Sequence, residues 1–195
     1  MYEYVKGQLT ELTPTYAVVE AANVGYFVNI SLQTYSQLSE GKEVLLYLHQ
    51  QIREDAHVLY GFIDREEREL FRLLISVSGV GAATARIMLS SLRSNELTTA
   101  IATGDVAVLK SIKGIGLKTA ERIVVDLKGK ALKPLGVSGV EGAASAFGAA
   151  SKEAIAALLA LGFPKANTEK AVEAAYKQNN AQSVEELIRN ALQRL

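Results

Sequence analysis

The chain has 195 residues, 49% of them hydrophobic, which suffices for one ordinary domain or a few very small ones and excludes a wholly disordered polymer. Cysteine is absent, so disulfides, thiolate nucleophiles and cysteine-based zinc sites are excluded together. The formal net charge is zero, which taken alone argues against a polyanionic partner.

The distribution of charge reverses that argument. Residues 1–63 hold three basic side chains (Lys6, Lys42, Arg53) against seven acidic ones, residues 64–133 hold twelve against eight, and residues 134–195 hold six of each. Between Lys110 and Lys133 seven basic residues (Lys110, Lys113, Lys118, Arg122, Lys128, Lys130, Lys133) face only Glu121 and Asp126. A basic region that could face phosphates therefore lies beside an acidic one. No apolar run approaches the roughly 20 residues of a membrane span. The N-terminal MYEYVKGQLTEL lacks the basic and apolar regions of a signal peptide, so a cytoplasmic location is expected.

In chain order, the first sixty residues read as strands: YAVVEA, GYFVNISL, EVLLYLHQQI and HVLYGFI are rich in β-branched and aromatic residues, and Asn23-Val24-Gly25 signals a turn. So many short strands predict a small closed barrel of OB type over residues 1–63, because closure removes exposed edges. At Asp64 the period changes. Asp64 and Glu67 form a capping-box pattern, and Leu70, Phe71, Leu74 and Val77 follow at helical spacing. An all-α domain is predicted for residues 64–133, punctuated by Gly79/Gly81, Gly104 and Gly114/Gly116, with Asp105 as a second N-cap. Residues 134–150, PLGVSGVEGAASAFGAA, read as a flexible linker. Residues 151–195 read as a three-helix bundle: Ser151 caps the first helix and Gly162 ends it, the second runs from about Thr168 to Lys177, and Ser183 with Glu186 caps the third. A core this small fits a docking module better than a catalytic one.

The middle segment contains an internal repeat. Val77-Ser78-Gly79-Val80-Gly81-Ala82-Ala83-Thr84-Ala85 recurs 35 positions later as Ile112-Lys113-Gly114-Ile115-Gly116-Leu117-Lys118-Thr119-Ala120. Two glycines flanking one aliphatic residue permit a sharp reversal between helices, and Val80 or Ile115 pins that reversal into the core. The first peptide N–H groups of the following helix then face outward at the positive end of its dipole, where an anion such as a DNA phosphate binds. Such contacts read backbone and not bases. The candidate DNA-backbone set is Gly79, Val80, Gly81, Ala82, Ala83 and Thr84 in the first copy, and Gly114, Ile115, Gly116, Leu117, Lys118, Thr119 and Arg122 in the second. A single Gly-x-Gly turn is weak evidence, but two matched copies in a basic segment form a tandem helix-hairpin-helix pattern. A dinucleotide-binding loop is excluded by the missing third glycine and the preceding helix, and no phosphate-binding P-loop string occurs.

SGVGAATA and KGIGLKTAERI resemble the tandem helix-hairpin-helix domain of the RuvA family. The similarity extends to GQLTEL, NVGYFV, REDAHVLYGF and the small helical unit at the C-terminus. The resemblance implies an α+β multidomain chain: an OB-type barrel, a central helix-hairpin-helix domain, a loose linker and a C-terminal three-helix bundle like ubiquitin-associated (UBA) domains. It implies a homotetramer, sometimes two stacked into an octamer, that holds four-way (Holliday) junction DNA open. It further implies recruitment of a RuvB-type AAA+ ATPase through residues 151–195, and a RuvC-type resolvase as a partner in a larger complex. No cofactor, metal or catalytic residue is implied, and none is expected.

Carried onto this sequence, Glu54 and Asp55 resemble an acidic pin at the junction centre; on composition alone they read as solvated turn charges. The first hairpin departs from the family in offering Ala82-Ala83 where basic residues are common, so its phosphate contact rests on backbone N–H groups, with help expected from Arg86. In the third unit Leu158, Leu161 and Tyr176 are candidate partner contacts beside a role in the core. His49 and His57, without clustered carboxylates, read as strand histidines. The competing readings are a metal-dependent nuclease using Glu54 and Asp55, and a protein-interaction scaffold in which the glycine turns are purely structural.

Overall fold

A computed structural model describes residues 1–131, 146–178 and 183–195. The chain divides into two compact units, Met1–Val137 and Ser138–Leu195. The first unit begins with five strands, β1 (Tyr4–Leu12), β2 (Tyr16–Ala21), β3 (Val24–Ile30), β4 (Glu43–Ile52) and β5 (His57–Phe62), which close into a barrel in the order β1-β2-β3-β5-β4. β1 pairs with both β2 and β4, and β3 runs parallel to β5, so no strand edge is left open. This is the OB-type connection predicted. Inward positions alternate, as a two-residue period requires: Val5 and Leu9, Ala17 and Val19, Val28 and Ile30, Leu46 and Leu48 are all buried.

Two local readings are corrected. The β2–β3 reversal is made by Ala22 and Asn23, both at positive φ (51° and 62°), while Val24 and Gly25 already belong to β3. That pair of left-handed residues matches the twist of a two-residue hairpin. The strand predicted to reach Leu32 ends at Ile30, because Ser31 caps a four-residue helix α1 (Leu32–Tyr35), its side chain accepting from the Thr34 N–H.

Five further helices complete the unit: α2 (Arg65–Ile75), α3 (Ala82–Ser91), α4 (Ser94–Thr103), α5 (Val106–Ser111) and α6 (Leu117–Ala131). Asp64 caps α2 (Oδ1 accepting from Glu67 N, 2.7 Å) and Asp105 caps α5 (from Val108 N, 3.1 Å), as their sequences predict. Phe62, the last residue of the barrel, lies in the helical core with Leu70, Phe71, Leu74, Leu97, Ile101 and Ile123. Phe71 packs its ring against Phe62, Tyr60 and His49 at centroid distances of 5.0, 5.1 and 5.4 Å, so barrel and helices share one aromatic seam.

Glu67 departs from its predicted role. Its carboxylate does not return to the Asp64 N–H; it is fully buried and accepts from the Ser31 hydroxyl and, at 2.7 Å, from the Thr34 hydroxyl. Thr34 Oγ1 in turn accepts from Ile63 N (3.2 Å). The side chain ties α2 to the barrel's short helix. Arg68, also buried, reinforces the same seam by donating to the Glu3 carbonyl and pairing with its carboxylate at 2.7 Å.

The second unit contains α7 (Ala146–Ala160), α8 (Lys165–Gln178) and α9 (Val184–Leu192), packed around Ala154, Leu158, Val172, Ala175 and Leu187. Gly162 takes positive φ (95°) after α7, and Ser183 caps α9 through the Glu186 N–H at 3.3 Å. Ser151 is not an N-cap: α7 already starts at Ala146, because the alanine-rich run Ala146–Ala150 has high helix propensity despite Gly148. The predicted linker is thereby shortened at its end, and residues 134–145 lie outside the described residues.

Burial raises the pKa of the Glu67 carboxyl, against the opposing pull of the Ser31 and Thr34 hydroxyls. The folded chain therefore holds this proton more tightly than the unfolded one. The stability linked to it is greatest below the ordinary glutamate pKa and is lost as pH rises through the raised value. Glu67→Gln is expected to flatten that part of the stability–pH curve, measured by denaturant titration at a series of pH values. Glu67→Ala, which strands two buried hydroxyls beside a cavity, is expected to cost about 2–4 kcal/mol throughout.

Candidate nucleic-acid interface

The two repeats fold into matching hairpins. In the first, α2 ends at Ile75, Val77 turns inward, Gly79 takes φ 92°, and Val80 is buried beneath the turn at 4% exposure. In the second, α5 ends at Ser111, Ile112 turns inward, Gly114 takes φ 90°, and Ile115 is buried at 5%. The backbone bonds correspond one to one. Val80 N donates to Val77 O (3.0 Å) as Ile115 N does to Ile112 O (3.1 Å), and Ala85 N donates to Gly81 O (2.9 Å) as Ala120 N does to Gly116 O (2.9 Å). The aliphatic anchor and the left-handed glycine thus do what their spacing predicts.

What these turns leave open is the start of the next helix. The first four N–H groups of an α-helix have no partner within it. Several other helices satisfy or neutralise them: Asp64 caps α2, which also has Glu66 and Glu67 in its first turn; Glu96 accepts from Arg93 N at the start of α4; Ser183 caps α9. At α3 the residue before the helix is Gly81, which provides no side-chain cap, and no acidic residue lies in the first turn. At α6 that residue is Gly116, again without acid in the first turn. The N–H groups of Gly81 to Thr84 and of Gly116 to Thr119 therefore sit at an uncompensated positive dipole end. A Cβ built on Gly79, Gly81, Gly114 or Gly116 would meet nothing within 4 Å, so the space above both turns is clear for a close-approaching anion.

The copies differ in their side chains. Ala82 is buried at 3%, whereas its counterpart Leu117 is 51% exposed. Ala83 is exposed and apolar where Lys118 is exposed and cationic. Lys110 and Lys113 are exposed beside the second hairpin, Lys128 is exposed further along α6 with its Nζ near Gly104, and Arg122 lies 3.9 Å from Asp126 across one helical turn. Arg86, expected to support the first hairpin's phosphate contact, points elsewhere: its Nη1 donates to Thr15 O (2.9 Å) and Asn29 Oδ1 (3.0 Å) on the barrel. Two barrel acceptors, the Thr15 carbonyl in the β1–β2 turn and the Asn29 side chain on β3, hold the guanidinium better than open solvent does. Its anchor could not be read from local sequence, because Thr15 and Asn29 lie 71 and 57 residues away.

Glu54 and Asp55 are both exposed at the turn joining β4 to β5, closed by Arg53 N donating to Ala56 O (2.8 Å). His49 packs against Phe71, and burial with the nearby Arg72 and Arg68 cations holds its pKa below the usual histidine value. His57 is exposed at the first residue of β5. Among the described residues, no group of three or more His, Asp or Glu is placed to hold a metal ion. Among the same residues, no helix is long and apolar enough to cross a membrane.

In the second unit Leu161 is 64% exposed, and Phe163 and Tyr176 pack partly against the core. Leu158, expected to contribute to a partner contact, is fully buried. Its place at the centre of three short helices commits it to the core, and Leu159 beside it is 38% exposed.

The two turn glycines of each hairpin separate by substitution. Gly79→Ala and Gly114→Ala force a Cβ into left-handed backbone and are expected to cost about 1–2 kcal/mol each. Gly81→Ala and Gly116→Ala meet neither positive φ nor a neighbour and lose only the preference of an N-cap for glycine over alanine, so the expected cost is smaller, about 0.5 kcal/mol. Denaturant midpoints of the four single variants distinguish the pairs.

Three family models match in chain order: the RuvA N terminal domain over residues 1–61, the SAM-like helix-hairpin-helix tandem over 71–129 and the RuvA C-terminal domain over 149–195. The chain is 49% identical over 195 residues to the "Holliday junction branch migration complex subunit RuvA" of Christiangramia forsetii. It is 50% identical over 202 residues to the protein of that name from Bacteroides thetaiotaomicron, and 48% identical over 202 residues to that of Porphyromonas gingivalis. Each comparison spans the whole of both chains. With the barrel, the paired hairpins and the C-terminal helical unit all matched at this identity, the chain belongs to the RuvA family.

Proposed function

We propose that the chain is a non-catalytic DNA-binding subunit of a branch-migration complex, which holds four-way junction DNA open for a RuvB-type ATPase. The observation that carries this reading is the pair of matched hairpins, each presenting uncapped helix N–H groups beneath open space. The N–H groups of Gly81, Ala82, Ala83 and Thr84, and of Gly116, Leu117, Lys118 and Thr119, grip phosphates, while Gly79 and Gly114 turn the chain and buried Val80 and Ile115 hold the turns in place. Lys118 and Arg122 add charge. Grip of this kind is independent of base sequence.

Preference for a junction comes from shape and repulsion. Glu54 and Asp55, exposed on the β4–β5 turn, repel converging phosphates in a homotetramer, which favours separated strands at a crossover over continuous duplex. The relatives' name supports a complex with partners. Residues 151–195 dock the motor through Leu161 and Tyr176, and a RuvC-type resolvase joins the assembly.

The grip is tested by titrating junction DNA over a series of salt concentrations. Gly81→Ala and Gly116→Ala fold normally but obstruct the phosphate, so binding is expected to weaken by about tenfold or more. Lys118→Ala is expected to lower the slope of log affinity against log salt by about 0.9 per contact removed. Unchanged slopes in Lys118→Ala would overturn that assignment. Replacing Glu54 and Asp55 together by Lys is expected to tighten binding to linear duplex and to reduce junction preference; unaltered discrimination would refute the pin.

A further inference from the structure

Arg86 follows the first hairpin by five residues yet is turned away from it. Its Nη1 bridges two parts of the barrel, the Thr15 carbonyl in the β1–β2 turn and the Asn29 side chain on β3. Thr15 O also accepts from Ile30 N (3.1 Å), and Asn29 Nδ2 donates onward to Leu59 O on β5 (3.2 Å). β5 is the strand that leaves the Glu54–Asp55 turn. A continuous series of hydrogen bonds therefore runs from α3, the helix whose N-terminus forms the first hairpin, to the strand carrying the acidic turn. One helical turn beyond Arg86, Ser90 Oγ accepts from Leu32 N (3.1 Å), and Ser94 and Gln33 exchange bonds at 3.0 and 3.1 Å. At the equivalent offset the second hairpin has Glu121, exposed, so the latch belongs to the first copy alone.

This asymmetry matches the difference in side chains. With Ala83 in place of a cation, the first hairpin depends on where its N–H groups are held. We propose that Arg86 is a positioning residue: it fixes the direction of the first hairpin relative to the barrel and its acidic turn, and junction preference over linear duplex depends on it. The inference rests on the DNA-binding reading above, because positioning matters only if the hairpin and the turn read one substrate.

Arg86→Ala, Arg86→Lys and Asn29→Ala, compared with the intact protein, test it. Each is titrated against a four-way junction and a linear duplex across a salt series. Arg86→Ala is expected to leave the salt slope and duplex affinity unchanged within about twofold while lowering junction affinity about tenfold. Lys, which reaches one acceptor without the guanidinium fork, is expected to restore part of the preference. Asn29→Ala is expected to be less than additive with Arg86→Ala. A slope reduced by about one contact would make Arg86 a phosphate ligand, and an unchanged junction preference would remove its role; either overturns the proposal.

Hydrogen exchange at the Leu32 amide reads the latch without DNA. Faster exchange in Arg86→Ala is expected, and an unchanged rate would overturn the latch itself. If the intact protein shows no junction preference, the functional reading fails, and Leu32 exchange still decides whether Arg86 holds α3. Should Arg86→Ala fail to fold, Arg86→Lys and Asn29→Ala decide the same question.

Discussion

The structure depends on a chain reversal that must join two helices in a few residues and still leave the second helix's first N–H groups uncovered. Only a residue without a Cβ adopts φ near +90° at little cost, and Gly79 and Gly114 occupy that position. A second glycine at the helix start keeps the approach clear, and one buried aliphatic, Val80 or Ile115, holds the turn down. The sequence provides acids and polar caps at α2 and α9 and withholds them at α3 and α6. At α3 and α6 the open helix starts coincide with a glycine turn and clear space, an arrangement suited to an anion approached closely through backbone, with no information about bases.

A grip without sequence information leaves discrimination to geometry. The first unit supplies geometry through its seam between barrel and helices. Phe71 packs against three barrel rings, Glu67 is held by two hydroxyls from the start and body of α1, Arg68 fastens the N-terminal strand region, and Arg86 fastens α3. Buried charged groups of this kind contribute little net stability compared with apolar packing, but they admit few alternative arrangements. A rigid seam gives the two open helix starts and the acidic turn a fixed mutual placement, which the proposed function requires.

The extent to which the sequence disclosed this follows from how local each cause is. The hairpins were legible because their requirements, glycine at positive φ and an aliphatic one residue on, are satisfied within a few residues and stated twice. The barrel was legible from several short runs rich in β-branched and aromatic residues, and the Asp64, Asp105 and Ser183 caps from their short-range partners. The seam was not. Glu67 has the spacing of a capping box, yet its partners Ser31 and Thr34 lie 36 and 33 residues away and outcompete the local N–H. Arg86 looked like a phosphate ligand because it follows a hairpin, and only the folded barrel reveals its acceptors. Leu158 illustrates a third case: exposure of one leucine among several in a short helix is set by tertiary packing, which spacing alone does not resolve. Ser151 had a good cap's chemistry but stood inside an alanine-rich helix that continued past it.

The proposed function requires recognition by backbone and shape. It is tested most directly by titrating the intact protein against four-way junctions of two unrelated sequences and their matching linear duplexes at fixed salt. Equal affinity for the two junctions within about twofold, and a junction preference over duplex of at least tenfold in both, are the expected results. Affinity that follows base sequence, or equal binding to junction and duplex, would contradict it.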